Sequence, residues 1–164
     1  MPAQRILILD DEPNIGSSLR MILEREGYAV TVTRTIADAK AVAGRADALL
    51  LDVRLPDGSG IDLLRQLRER DFPAPVIMIS GHATIRDAVD ATRTGAFDFL
   101  EKPLSRDKVL LSLKNALEQV NLRRELVAGA RFALAISGVW ARRGRLAPLP
   151  RSRSDRESSS VTCA

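Results

Sequence analysis

The 164 residues include one cysteine, one histidine, one tryptophan and one tyrosine, and aromatics make up only 4% of the chain. Cys163 stands next to the C-terminus, so neither an intrachain disulfide nor a cysteine metal cage can form. His82 has no second histidine to share a metal ion. No apolar run approaches the roughly 20 residues needed to cross a bilayer; the longest late stretch covers only residues 132–141. The first apolar run, residues 6–9, ends directly in two aspartates, which no secretory signal does. There is also no glycine-lysine phosphate loop of the Walker type. These absences predict a soluble cytoplasmic protein that makes no membrane contact.

What remains is rich in Val, Ile, Leu and Ala. With 45% hydrophobic and 28% charged residues, the chain can bury a proper core. The net charge of +4 hides a division. Residues 1–121 hold 16 Lys and Arg against 18 Asp and Glu, a balance of −2, whereas residues 122–164 hold 9 against 3, a balance of +6. The basic character belongs to the C-terminal part, and nothing in the main domain calls for nucleic acid.

Short apolar runs alternate with helical patterns. Residues 5–9 (RILIL), 29–33, 48–51, 76–80 (VIMIS) and 97–100 read as five strands. Between them lie helices with recognisable ends. Pro13 suits a first helical position, Thr35 and Ser105 suit N-caps, and Gly27 and Gly95 suit C-terminal stops. The last helix reads from Ser105 through about residue 127. Five strands alternating with five helices predict a doubly wound α/β fold around a parallel sheet. Residues 4–122 are assigned to this domain. Residues 123–164 are assigned to a helix end and a basic tail, and the run RLAPLPRSRSDRESSS is expected to be disordered.

Three of the runs end in chemistry. Asp10 and Asp11 close ILILDDE, Asp52 closes ALLLD, and Lys102 follows FDFLEKP. In an open parallel sheet, ligands collect beyond the carboxyl ends of the strands. These four residues are therefore expected to share one pocket. Crowded carboxylates raise one another's pKa, and a divalent cation together with a lysine would relieve that repulsion. Taken singly, each acid reads as a helix cap or a strand-end turn residue; the shared register favours a site.

Four pieces in order, LILDDE, LLLDVRLPDGSG, VIMISGHA and FDFLEKP, resemble the receiver domain of two-component response regulators. The resemblance implies a flavodoxin-like fold in which Asp52 accepts a phosphoryl group from a histidine kinase. It implies Mg²⁺ held by Asp10, Asp11, Asp52 and the backbone carbonyl of Arg54. Lys102 would bind phosphoryl oxygens after a cis Lys102–Pro103 bond. Ser80 and Phe99 would form the switch, Ser80 through its hydroxyl and Phe99 by turning inward. Many relatives carry threonine and tyrosine there; serine keeps the hydroxyl, whereas phenylalanine does not. Arg54 and His82 would overlook the site and bear on phosphate lifetime.

The passage SGHATIRDAVDATRTGAFDFLEKP and the trailing NLRREL are most similar to receivers of nitrogen-regulation-type regulators, which precede a sigma-54-interacting ATPase and a helix-turn-helix. The resemblance implies a switching surface of helix 4, strand 5 and helix 5, controlling transcription through a homodimer. Leu110, Leu113, Leu117 and Val120, at spacings of 3 and 4, read as a short coiled-coil-like seam in the last helix; its first two turns are expected to pack on the sheet, and beyond Glu118 the helix is expected to project and pair with a second copy. The alternative is a stand-alone receiver acting by protein–protein contact or as a phosphate sink. Residues beyond about Gly129 also admit a truncated or frameshifted reading. Two rivals fare worse. A phosphatase with an aspartyl nucleophile would need an acid where Arg54 stands. A nucleic-acid module would have to rely on an arginine-rich tail without aromatic interleaving.

Overall fold

The computed structural model describes the backbone of residues 2–143 and the side chains of residues 2–136. Five parallel strands run β1 (Arg5–Leu9), β2 (Ala29–Thr33), β3 (Ala48–Asp52), β4 (Val76–Ser80) and β5 (Asp98–Glu101). Their order in the sheet is β2-β1-β3-β4-β5. A two-residue antiparallel ladder, Arg54–Leu55 against Gly58–Ser59, follows β3. The helices are α1 (Pro13–Arg25), α2 (Ile36–Val42), α3 (Gly60–Glu69), α4 (Ile85–Thr94) and α5 (Arg106–Arg143). This is the doubly wound α/β fold expected from the sequence.

Side-chain alternation along the strands feeds two cores. On one face, Leu7, Leu9, Leu49, Leu51, Val76 and Met78 pack with Leu63, Leu64 and Ala91 from α3 and α4. On the other, Ile6, Ile8, Leu50, Ile77 and Ile79 pack with Leu19 and Leu23 of α1 and Val109, Leu113 and Leu117 of α5. Every residue of β3 and β4 is buried, as expected for parallel strands covered on both faces.

The helix ends follow local chemistry. Thr35 accepts from the Asp38 amide, Ser105 accepts from Lys108, and Pro13 occupies the first turn of α1. Thr84 and Asp87 form a reciprocal capping box at α4, and Gly95 ends that helix with φ near 103°.

Three expectations need correction. First, β5 starts one residue later than expected: the Phe97 amide already bonds the Val76 carbonyl at 2.7 Å, but the paired register begins at Asp98. Second, α5 continues to Arg143 rather than ending near residue 127. A single Gly129 costs a helix only about 1 kcal/mol, and the surrounding Ala, Leu and Arg residues favour continuation. Third, Leu113 and Leu117 of the supposed seam are buried in the sheet core, with Leu110 packed against it. Packing on the sheet, expected for the first two turns only, thus extends to Leu117. Backbone contacts separate a compact unit at residues 1–124 from a second at residues 125–164. The segment expected to be disordered, residues 145–160, lies outside the described residues.

Candidate functional site

Lys102 follows β5, and its ammonium reaches back over the ends of β1 and β3. Nζ lies 2.9 Å from Asp10 Oδ2, 2.9 Å from Asp52 Oδ2 and 2.7 Å from Glu12 Oε1. Asp10 and Asp52 are almost wholly buried. Asp10, Asp11 and Asp52 can each offer a carboxylate oxygen within 4.8 Å of the others. The four residues expected to share a pocket do so. The Lys102–Pro103 bond is cis.

The buried carboxylates are also held by backbone donors. The Glu12 amide donates to Asp10 Oδ1 at 2.9 Å, and the Arg54 amide donates to Asp52 Oδ1 at 3.2 Å. Asp10 Oδ2, despite its nearness to the ammonium, has no partner along a hydrogen-bonding direction. We read that contact as charge neutralisation that leaves the oxygen's lone pairs available.

Burial pushes the Asp10 carboxyl above its ordinary pKa, opposed by Lys102 and the Glu12 amide. For Lys102, burial acts to lower the pKa. The hydrogen bonds it donates to the Glu12 and Asp52 carboxylates, with the Asp10 charge beside them, outweigh it and hold the ammonium above the ordinary lysine value. The lysine is therefore a fixed positive charge. It still balances only one of the four acids around it, and the uncompensated remainder, with the donorless Asp10 oxygen, suits a hard divalent cation.

Strand β3 is seated by a close backbone approach. A Cβ on Gly60, the first residue of α3, would fall 2.0 Å from the Asp52 carbonyl oxygen. The Gly60 amide donates to the Val53 carbonyl at 2.8 Å, and the Val53 amide to the Ile79 carbonyl at 2.9 Å. The absence of a side chain at Gly60 lets α3 start against β3.

Ser80 is buried at the end of β4, where its Oγ accepts from the His82 amide at 3.3 Å. Its carbonyl accepts from the Lys102 amide at 2.8 Å, which ties β4 to the lysine. Phe99 stands opposite Met78 in the β4–β5 register and is half-buried against the core. The side chains of Arg54 and His82 are exposed. Arg54 contributes to lowering the Asp87 carboxyl, a shift caused chiefly by hydrogen bonds from Thr84.

Three functional contacts were not foreseen. Glu12 was not among the expected site residues, yet it is the nearest acid to Lys102. Arg68 donates to the carbonyls of Phe72 (2.7 Å), Ala74 (3.1 Å) and Gly95 (3.1 and 3.2 Å), joining the α3–β4 loop to the end of α4. The Ser112 hydroxyl donates to Asp98 Oδ2 at 2.6 Å, joining α5 to β5. Only the acidic run beside Asp10 offered a signal for any of these; carbonyl acceptors have no side-chain signature.

Comparison with known proteins agrees with this geometry. The family model described as the response regulator receiver domain matches residues 6–114. The nitrogen assimilation regulatory protein NtrX of Azorhizobium caulinodans is 41% identical over 128 residues, covering 76% of this chain and 28% of that protein. The chain thus spans less than a third of the length of that relative. Among solved structures, a CheY-like receiver domain protein from Methanospirillum hungatei superposes with a TM-score of 0.70 at 30% identity, covering 74% of this chain and 98% of the other. The beryllofluoride-activated NtrC4 receiver domain dimer gives 0.67 at 39% identity, covering 71% and 98%. The resemblance to nitrogen-regulation-type receivers is borne out at the level of these relatives. On the matched residues and the covered share of its receiver neighbours, the chain belongs to the response regulator receiver domain family.

Proposed function

We propose that Asp52 accepts a phosphoryl group from a phosphohistidine on a partner kinase, and that this modification switches the α4–β5–α5 surface. The observation carrying the proposal is the Lys102 ammonium set 2.9 Å from both Asp10 and Asp52, beside a third acid, Asp11. Phosphoryl transfer asks little covalent help from a protein and depends on positioning and neutralised charge. One Asp52 carboxylate oxygen attacks phosphorus; the P–O bond forms as the P–N bond to the histidine breaks, and the imidazole leaves. Asp11 and Asp52 would hold Mg²⁺ directly, Asp10 mostly through water, and Arg54 through its backbone carbonyl. The ion supplies charge neutralisation to the phosphoryl oxygens.

Lys102, anchored by Glu12, moves its charge from the Asp52 carboxylate to the new phosphoryl group. The Ser80 hydroxyl donates to a phosphoryl oxygen, and Phe99 turns into the space this leaves. Lacking a ring hydroxyl, Phe99 transmits the change by packing alone. Arg54 and His82, at the rim, control access of the water that later hydrolyses the acyl phosphate. The chain assists its own phosphorylation and dephosphorylation and acts on no other substrate. Among the described residues, no helix is long and apolar enough to cross a membrane; we place the protein in the cytoplasm, where the switched surface pairs two copies and governs transcriptional output.

The test is intact mass after incubation with acetyl phosphate and Mg²⁺. Wild type should gain one phosphoryl group, and Asp52→Ala should gain none. An equal gain in Asp52→Ala would move the acceptor elsewhere. Sedimentation with beryllofluoride should then show a rise in mass; an unchanged monomer would remove dimerisation from the proposal while leaving the acceptor intact.

A further inference from the structure

We infer that the distal part of α5, from residue 125 to residue 143, is a basic amphipathic helix that docks on an anionic lipid surface. Within this unit, Leu126, Phe132 and Leu134 are 73%, 69% and 73% exposed, and Val127 and Ile136 are exposed as well. Large apolar side chains left in water along one helix mark an interaction surface. At about 100° per residue, these five positions sweep an arc of roughly 220° around the helix. Arg131, also exposed, falls in the remaining gap.

The charge pattern selects the partner. After Glu125, residues 126–154 contain no acid and six arginines: Arg131, Arg142, Arg143, Arg145, Arg151 and Arg153. A second copy of this segment would bring like charges together, which opposes self-pairing. Nucleic acid would take the arginines but offers no sink for Leu126, Phe132, Leu134 and Ile136. A protein groove takes a narrow stripe of anchors at i, i+3 or i+4 and i+7, and the arc here is far wider. The boundary between lipid headgroups and acyl chains accepts a broad apolar face while anionic headgroups satisfy the arginines. The sequence also carries Trp140 just before Arg142 and Arg143, an order common at membrane interfaces.

No helix among the described residues is long and apolar enough to span a bilayer, so the contact lies along the surface. The expectation of no membrane contact rested on spanning length and on the want of a secretory signal, and a surface-bound helix escapes both criteria. The inference is independent of phosphoryl chemistry at Asp52.

Co-sedimentation of the full 164-residue protein with lipid vesicles tests it. Vesicles of equal phosphatidylglycerol and phosphatidylcholine should bind the protein at least about tenfold more tightly than pure phosphatidylcholine, with binding falling as salt rises. Phe132→Asp combined with Leu134→Asp should weaken binding about tenfold or more. Arg131→Glu should weaken binding to the anionic vesicles by about tenfold and leave the neutral ones unchanged. The far-ultraviolet circular dichroism of the free protein serves as the folding control; if the double variant loses it, the exposed Arg131→Glu change carries the test. Equal affinity for both vesicle types, or binding unaltered by Arg131→Glu, overturns the inference. So does a lipid-free dimer abolished by Phe132→Asp, which would make a second copy the occupant.

Discussion

Strands β3 and β4 and helix α4 lie in the same domain, yet they are held in opposite ways. All ten residues of the two strands are buried. Of the ten residues of α4, only Ala91 is buried, while Ile85 is 87% exposed and Val89 40%. Two apolar side chains of α4, Ile85 and Val89, stand in solvent, and Ala91 alone enters the core. This helix is tethered at its ends instead: Thr84 and Asp87 fix its start, and Arg68 grips the Gly95 carbonyl at its finish. The strands that carry Asp52 and Ser80 are buried along their whole length, whereas the helix proposed above to respond to phosphorylation buries a single residue. Regions that respond to ligands come from the low-stability end of a fold, which makes α4 the element to probe.

The contrast can be broken at several points. The largest loss is expected from Leu50→Ala in the centre of β3, where the side chain is fully buried. Urea denaturation should show a loss of about 2–5 kcal/mol, the usual range for emptying a packed leucine site. A loss under about 1 kcal/mol would mean that the platform is not tightly packed. Next comes Gly60→Ala. Because the added methyl meets the Asp52 backbone and not a flexible side chain, α3 or the acceptor strand must shift. A cost of about 1–3 kcal/mol is expected, with phosphoryl uptake at Asp52 reduced more than stability alone explains. Wild-type uptake in this variant would disconnect Gly60 from the site.

Arg68→Ala probes the tether. The guanidinium, half-buried, has its pKa lowered by that burial, and it serves three backbone carbonyls. Its removal should cost about 1–2 kcal/mol. Hydrogen exchange should show the added opening concentrated at residues 85–95. Uniform loosening of the whole sheet would instead make Arg68 an ordinary stability residue.

How much of this was legible follows from the range of each signal. Strands β1, β2 and β4 match their sequence limits because each is a short run bounded by polar or turn residues. Convergence of Asp10, Asp11, Asp52 and Lys102 followed from topology, since parallel strands bring their carboxyl ends to one edge. What escaped was set by neighbours in space. Glu12, the N-cap of α1, meets Lys102 from a distant part of the chain. Gly60 matters for a carbonyl eight residues back in the chain, which no local turn rule reports. The length of α5 escaped for a different reason: the apolar period fades and the composition changes near Gly129, yet the alanines and leucines that follow still favour a helix and one glycine is a weak break.

The smallest stability effect should come from Ile85→Ser, and its smallness is the point. An isoleucine that is 87% exposed gives up almost no buried area when replaced. Monomer stability should therefore stay within about 0.5 kcal/mol of wild type, as for surface changes away from caps and networks. If phosphorylation pairs two copies through the α4–β5–α5 surface, the same change should weaken the beryllofluoride-induced dimer, because an apolar contact is then lost only in the assembled state. A stability loss above about 1 kcal/mol would show that Ile85 already packs within the domain. An unaltered dimer would place the pairing surface away from α4. Only a silent monomer together with a weakened dimer fits a helix secured at its ends and left open along its face.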